Sequence, residues 1–302
     1  MATGILSRMQ GEGGYNRTVL TIKIFHVFEN ESMQLINAYR ITPDRNLPLT
    51  IQADTLDELT HQLPQGLYTT FRTYDGCRRV LGLKAHLERL YQPVIEPVVS
   101  KTVLRNQMKA IMRNYQNEVR VRLVIAKNGD VYIALSSLKL LPPEIYQLGV
   151  KVITSDVMRE SPRLKSTAFI SASKGTRIQI AQSKIFEALL VRNDSILEGM
   201  TSNFFYVKDG VLGTARKNVL LGVTRRAVLR IARGSGIRIV YKPLKLEQVP
   251  ALSEAFLTSS SRGIVPIVQV DNKTVGEGAP GSVTKELITA YKEYVMQHAE
   301  II

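Results

Sequence analysis

The chain has no tryptophan, a single cysteine and only four histidines. One cysteine, Cys77, rules out an internal disulfide and with it the stapled secreted scaffolds. It fits a reducing compartment, so a cytoplasmic protein is the default expectation. No run reaches the ~18 consecutive apolar residues of a membrane-spanning helix. Residues 1–16 are Gly-rich and polar and lack the apolar stretch of a secretory signal. His26, His61, His86 and His298 stand apart, with no second ligand at metal-site spacing, so no metal centre is expected. Blocks of five or six like charges are also missing, although Lys plus Arg is 40 against 26 for Asp plus Glu, a formal charge of +14. Such a balance favours an anionic partner: nucleic acid, a membrane surface or a phosphorylated ligand. A nucleic-acid binder needs clustered Lys and Arg with stacking aromatics. No such module is recognisable, so neither nucleic acid nor membrane is the expected partner.

What remains is a globular composition: 302 residues, 44% hydrophobic and 22% charged. That is enough to bury a core without staples. At roughly 100–200 residues per domain, two domains are expected. Residues 18–28 and 33–41 read as strands. Leu83, Leu87 and Leu90 recur at helical spacing over 83–91, and 102–114 reads as a second helix. Strands over 118–126 and 131–135 flank Asn128-Gly129, a hairpin signal. Pro142-Pro143 interrupts the pattern over 140–147, which sets a domain boundary: a smaller N-terminal domain, 1–141, and a larger C-terminal one, 148–302. Beyond it, strands are expected over 151–154, 187–191, 196–199, 203–208 and 211–214, with a helix over 178–186. Thr224 is expected to cap a helix running to Ala232, stopped by Gly234 and Gly236. Strands over 237–241, 255–259 and 264–270 precede a terminal helix over 282–297. The order predicts an α+β protein with an α+β first half and a β-rich, barrel-like second half.

Some motifs lead nowhere. Gly276 to Gly281 matches G-x-G-x-x-G, but the chain has no room for the following strand of a dinucleotide fold, so a loop is expected. Ser171 to Lys174 matches S-x-x-K, which recurs at Ser282 to Lys285, and the K-T-G element of serine acyl-enzymes is absent. Cys77 adjoins Arg78 and Arg79, charges that lower a thiol pKa. No catalytic partner is indicated, and it reads as an ordinary residue.

Five segments in order carry the chemistry: Phe71-Arg72-Thr73-Tyr74-Asp75-Gly76 with His86-Leu87-Glu88-Arg89-Leu90; Arg163-Leu164-Lys165-Ser166; Glu187-Ala188 with Leu197-Glu198-Gly199-Met200-Thr201-Ser202-Asn203-Phe204-Phe205; Leu220-Leu221-Gly222-Val223-Thr224-Arg225; and Phe256 to Pro266. From about Gly66 to Tyr294 the chain resembles the class IV (fold-type IV) pyridoxal-phosphate enzymes. These include branched-chain and D-amino-acid aminotransferases and aminodeoxychorismate lyase. The resemblance implies pyridoxal 5′-phosphate in a cleft between two domains. Lys165 is then the Schiff-base lysine and catalytic residue, able to attack the cofactor aldehyde and later to move a proton. Arg89 supplies a permanently charged fork to the cofactor phosphate. Glu198 keeps the pyridine nitrogen protonated. Gly222, Val223 and Thr224 offer a helix start to the phosphate. Ser260 adds a hydroxyl, with its neighbour Ser259 as the alternative.

The substrate half of the pattern departs from the family. Ile170 stands where many relatives have tyrosine, and Leu63 to Thr69 lacks their glutamate. Arg262 and Tyr68 are the candidates for the substrate carboxylate, Arg262 through two parallel hydrogen bonds. The alternative is the backbone amides of Ser259 to Ser261. The implied activity is transamination between an amino acid and a 2-oxo acid, with a lyase as the alternative, in a homodimer.

Overall fold

The computed structural model describes residues 36–302; the strand expected over 18–28 and the start of that over 33–41 lie outside the described residues. The first half builds a five-stranded antiparallel sheet. Its order is Asn46–Leu49, Ile36–Ile41, Val131–Ser137, Val119–Ala126 and Gly66–Arg72. The expected hairpin joins its third and fourth members, with Gly129 in the left-handed region at φ 85°. Along Val119–Ala126 side chains alternate between two covered faces. Val121, Leu123 and Ile125 pack in one cluster with Leu83, Leu87 and Leu104, from helices Leu83–Tyr91 and Lys101–Met112. Val124 and Ala126 pack in another with Leu56 and Leu59 of helix Leu56–Gln62, and with Ile170. Covering both faces explains why this strand reads as an apolar run rather than an alternation.

The second half forms a ten-stranded sheet curled into a half-barrel. From one edge it runs Ile239–Val240, Val211–Gly213, Asn203–Lys208, Glu254–Ser259, Gly263–Val270, Val150–Ser155, Glu187–Arg192, Ser195–Gly199 and Leu244–Lys245, with Lys273–Thr274 beside Gly263–Val270. Phe204 and Tyr206 point inward and share a cluster with Val152, Leu189 and Leu257. Leu244, at the far edge of the order, joins that same cluster, which only a curled sheet allows. Phe205 and Val207 point outward, onto helices Val223–Gly234 and Ser282–His298.

Four local expectations need correction or completion. The helix expected over 178–186 is Lys174–Ala181, preceded by Ala168–Ala172. Residues after Ala181 leave the helix because the Phe186 N–H donates to Lys151 O, drawing the chain into the sheet. The break over 140–147 holds a short helix, Pro143–Leu148, with proline in the first turn, where no N–H is needed. A last strand, Ala299–Ile301, pairs with Arg79–Leu81, a partner from the other end of the described chain that no local pattern announces. Thr224 does not cap its helix; the N-cap is Gly222.

Gly276 to Gly281 is a loop, in keeping with its sequence context. The helix start after it is filled from within: Glu254 accepts from the N–H groups of Val283 (3.0 Å) and Thr284 (2.7 Å). A Cβ at Gly281 would overlap that carboxylate. Cys77 is buried, and burial pushes its thiol up despite the neighbouring arginines. Among the described residues no helix is long and apolar enough to cross a membrane.

Candidate active site

Tyr68, Arg89, Lys165, Glu198, Gly222, Val223, Thr224, Ser259, Ser260 and Arg262 all line one cleft. One wall is the Gly66–Arg72 edge of the first sheet, and the other comes from the curled sheet and its loops. Lys165 is held at this edge by main-chain bonds. Tyr68 N donates to Lys165 O (2.8 Å), Thr167 N to Gly66 O (2.9 Å) and Gly66 N to Thr167 Oγ1 (2.9 Å). Gly66 is required because a Cβ there would overlap the Ile125 carbonyl of the next strand. The Lys165 amine sits 5.0 Å from the centre of the Tyr68 ring. Burial, helped by Arg89 and Arg159, holds its ammonium well below the usual lysine range. That direction favours the unprotonated amine, the form that acts as a nucleophile.

Glu198 stands at the end of strand Ser195–Gly199 and is 2% exposed. One oxygen accepts from Arg159 Nε (3.0 Å); the other accepts from Leu220 N (3.0 Å) and Asn203 Nδ2 (3.1 Å). Burial pushes its carboxyl up to about 7, while Arg159 and the Leu220 N–H pull toward the ionised form. A carboxylate poised there can take or keep a proton at little cost. The loop carrying Leu220 leads into helix Val223–Gly234, whose N-cap is Gly222, extended at φ −62°, ψ 147°. This is the correction for Thr224: it lies inside the first turn, and its hydroxyl faces Ser260 Oγ at 3.5 Å. Among the described residues no side chain caps the helix, so its first N–H groups remain available to a ligand. A Cβ at Gly222 would overlap Asn203 Oδ1 and disturb the amide that steadies Glu198.

Arg89 enters from helix Leu83–Tyr91. Its Nη2 donates to Thr69 Oγ1 (2.8 Å), and its Nε has no partner among the described residues. His86, one turn earlier, has no local sign of a role. In the fold it is buried, with Nδ1 2.7 Å from Thr69 Oγ1 and Nε2 3.4 Å from Ser260 Oγ. Burial and Arg89 hold its imidazole neutral, well below the usual range. It ties together the strand, the helix and the Ser259 to Arg262 loop.

Arg262 lies in the cleft wall and has protein partners of its own. Its Nη2 donates to Glu187 Oε2 (2.6 Å) and Thr201 Oγ1 (2.7 Å), and its Nε to Ser259 Oγ (3.2 Å). The guanidinium faces the cleft with its Nε and Nη2 engaged in these bonds. Glu187 also accepts from Thr201 N (2.7 Å) and Ser202 Oγ (2.8 Å), so the pair locks two loops of the cleft wall together. Burial opposes ionisation of Glu187, but Arg262 together with the Thr201 N–H and the Ser202 hydroxyl outweighs it and holds the carboxyl below its usual range.

The residues fit a phosphorylated aromatic cofactor. Among the described residues, buried side-chain atoms without a hydrogen-bond partner include Arg89 Nε, Arg120 Nε, Arg159 Nη1 and Thr258 Oγ1, and all four residues line this cleft. Buried donors are rarely left unpaired unless a ligand completes them.

The Amino-transferase class IV model matches residues 66–270. The chain belongs to this family. It is a pyridoxal-phosphate-dependent aminotransferase. It is 24% identical over 269 residues to the D-alanine aminotransferase of Bacillus licheniformis, spanning 80% of this chain and 91% of the relative. It is 26% identical over 275 residues to the branched-chain-amino-acid aminotransferase of Pseudomonas aeruginosa, spanning 82% and 90%. Its fold matches a T.th. branched-chain amino acid aminotransferase solved with pyridoxamine 5′-phosphate. The TM-score there is 0.74 at 20% identity, covering 87% of this chain and 94% of that one.

This class IV aminotransferase also holds residues that no motif exposed. Arg159, six positions before Lys165, grips Glu198 and Met200 O (2.7 Å) while stacking on Phe169. Arg120, Arg122 and Asp57 also line the cleft. Glu187 and Asn203 lie inside quoted segments, so their types are visible in the sequence though their partners are not.

Proposed function

We propose that this aminotransferase works in the Lys165 cleft, with Lys165 as its catalytic amine. The carrying observation is the half-buried Lys165 amine sharing one cleft with the Glu198 carboxylate and with Arg89 beside an uncapped helix start. Bound pyridoxal 5′-phosphate supplies an aldehyde that bonds to amines and a ring that takes up electron density as the substrate Cα–H bond breaks. Lys165 would hold the cofactor through its amine and would move the proton at the substrate Cα. Glu198, kept in place by Arg159, Asn203 and Leu220, holds the proton at the ring nitrogen. Arg89, the N–H groups of Val223 and Thr224, and the Ser260 hydroxyl, with Ser259 as the alternative, bind the phosphate. Arg262, fixed by Glu187, shapes the wall against which the substrate lies. Tyr68 and the Ser259 to Ser261 amides are placed to receive its α-carboxylate.

The reading extends to organisation. We assign residues 1–141 and 148–302 to two domains, supported by a first sheet that ends at Ser137 and a second that begins at Val150. The family resemblance supports a cytoplasmic homodimer. Light scattering should give about twice the 33.8 kDa chain mass; a single-chain mass would remove the dimer.

Arg89→Lys keeps the charge and loses the fork. Titrating the cofactor-free protein should show at least a tenfold loss of affinity for pyridoxal phosphate and little change for pyridoxal. Equal losses for both would detach Arg89 from the phosphate.

A further inference from the structure

Beside Arg89 and Ser260 runs a chain of side chains whose centre is His86. That residue is 1% exposed, does not itself line the cleft, and packs against the Phe71 ring with centroids 5.0 Å apart. Its Nδ1 faces Thr69 Oγ1 at 2.7 Å, from strand Gly66–Arg72, and Arg89 Nη2 at 3.5 Å, from its own helix. Its Nε2 faces Ser260 Oγ at 3.4 Å, in the turn after strand Glu254–Ser259. Arg89 Nη2 also donates to Thr69 Oγ1 at 2.8 Å, and Thr224 Oγ1 to Ser260 Oγ at 3.5 Å.

The protons along this chain run in one direction. A guanidinium only donates, so Arg89 faces lone pairs on both Thr69 Oγ1 and Nδ1. With its oxygen accepting from Arg89, Thr69 has one proton to give, and Nδ1 is the acceptor placed to take it. Nδ1 is therefore unprotonated. Burial and Arg89 keep the imidazole neutral, so its single proton sits on Nε2, facing Ser260. Ser260 Oγ then receives two donors, the His86 Nε2–H and the Thr224 hydroxyl. Neither donor accepts the serine's own proton, which is left for the cleft that Ser260 lines. The 3.4 and 3.5 Å separations are long for hydrogen bonds, so these donors orient the hydroxyl more than they hold it.

We propose that His86 is a positioning residue of the cofactor site: as the Nε2–H tautomer it turns the Ser260 hydroxyl proton toward the cofactor phosphate, and through Thr69 it steadies the Arg89 guanidinium that serves the same group. The inference rests on Ser260 and Arg89 being phosphate ligands. The Nδ1–H tautomer would do the opposite. It would set a proton against the Arg89 N–H and present a lone pair to Ser260, drawing the serine's proton away from the cleft. The phosphate would then lose a donor with every residue still in place.

Nitrogen NMR of the ¹⁵N-labelled, cofactor-free protein reads the tautomer directly, and with only four histidines the His86 signals are identified by their loss in a His86 variant. At neutral pH Nε2 should carry the proton and Nδ1 none; the reverse would overturn the proposal. Affinities for pyridoxal phosphate and pyridoxal measure the consequence. His86→Gln keeps a donor near the place of Nε2, whereas His86→Asn keeps an acceptor near Nδ1 and loses that donor. His86→Asn should weaken the preference for the phosphorylated form by about tenfold, the scale of one hydrogen bond to a charged group, and leave pyridoxal affinity unchanged. His86→Gln should retain most of the preference. In a Ser260→Ala background His86→Asn should change nothing further. Equal losses for both ligands, or equal losses in the two His86 variants, would leave His86 a packing role and overturn the proposal. A phosphate-specific loss in Ser260→Ala with none in His86→Asn removes the His86 step alone. No phosphate-specific loss in Ser260→Ala removes Ser260 from the phosphate site, and the proposal with it.

Discussion

Lys165→Ala should lose at least about 10⁴-fold in kcat, the upper end of what a positioned proton-transfer group contributes. No neighbour is placed to substitute. The amine comes from a segment pinned by Tyr68 N, Thr167 N and Gly66 N, and among the described residues it is the only lysine lining the cleft. The arginines around it are protonated and cannot attack. The variant should fold, because those bonds are main-chain or come from Thr167. It should still bind pyridoxal phosphate more tightly than pyridoxal, because Arg89 and the helix start are intact. A steady-state assay that retained even a tenth of native turnover would exclude Lys165 as the catalytic amine.

Glu198→Gln should act on two observables together. Turnover should fall by about 10²-fold or more, because an amide holds a proton at the ring nitrogen poorly. Stability should fall as well. Glu198 and Arg159 are a buried ion pair, with side chains 2% and 5% exposed, and the substitution leaves the Arg159 charge without a counter-ion. Breaking such a pair costs about 3 kcal/mol or more. In the cofactor-free protein that corresponds to a lower thermal midpoint by roughly 5–10 °C. Arg159→Met alone exposes the logic: it removes the cation, leaves Glu198 buried without it, and should raise the carboxyl pKa further. A Glu198→Gln protein with native turnover would assign the ring nitrogen to another group.

The parts of this site legible in the sequence are those that depend on backbone shape. Gly222 can be read because a close approach admits no Cβ, and the segment around Glu198 because its strand end and turn have fixed residue types. Long-range partners leave no such trace. Arg159, Arg120 and Asp57 are ordinary polar residues until the fold brings together strands separated by scores of positions. His86 looks isolated in sequence because its partners, Thr69 and Ser260, come from one strand and a distant loop. Thr224 reads as a cap because Ser and Thr are common there; in the fold Gly222 takes the cap, where a Cβ would overlap Asn203 Oδ1. Short edge strands such as Ala299–Ile301 are stabilised by pairing alone, and three residues give no period to read.

The most direct measurement is reduction of the holoenzyme with borohydride, followed by proteolysis and mass mapping. The cofactor mass should sit on Lys165, in the peptide after Arg163-Leu164, and pretreatment with an amino-acid substrate should prevent it. Label on another lysine, Lys174 for example, or no label at all, would contradict the placement of the reaction in this cleft.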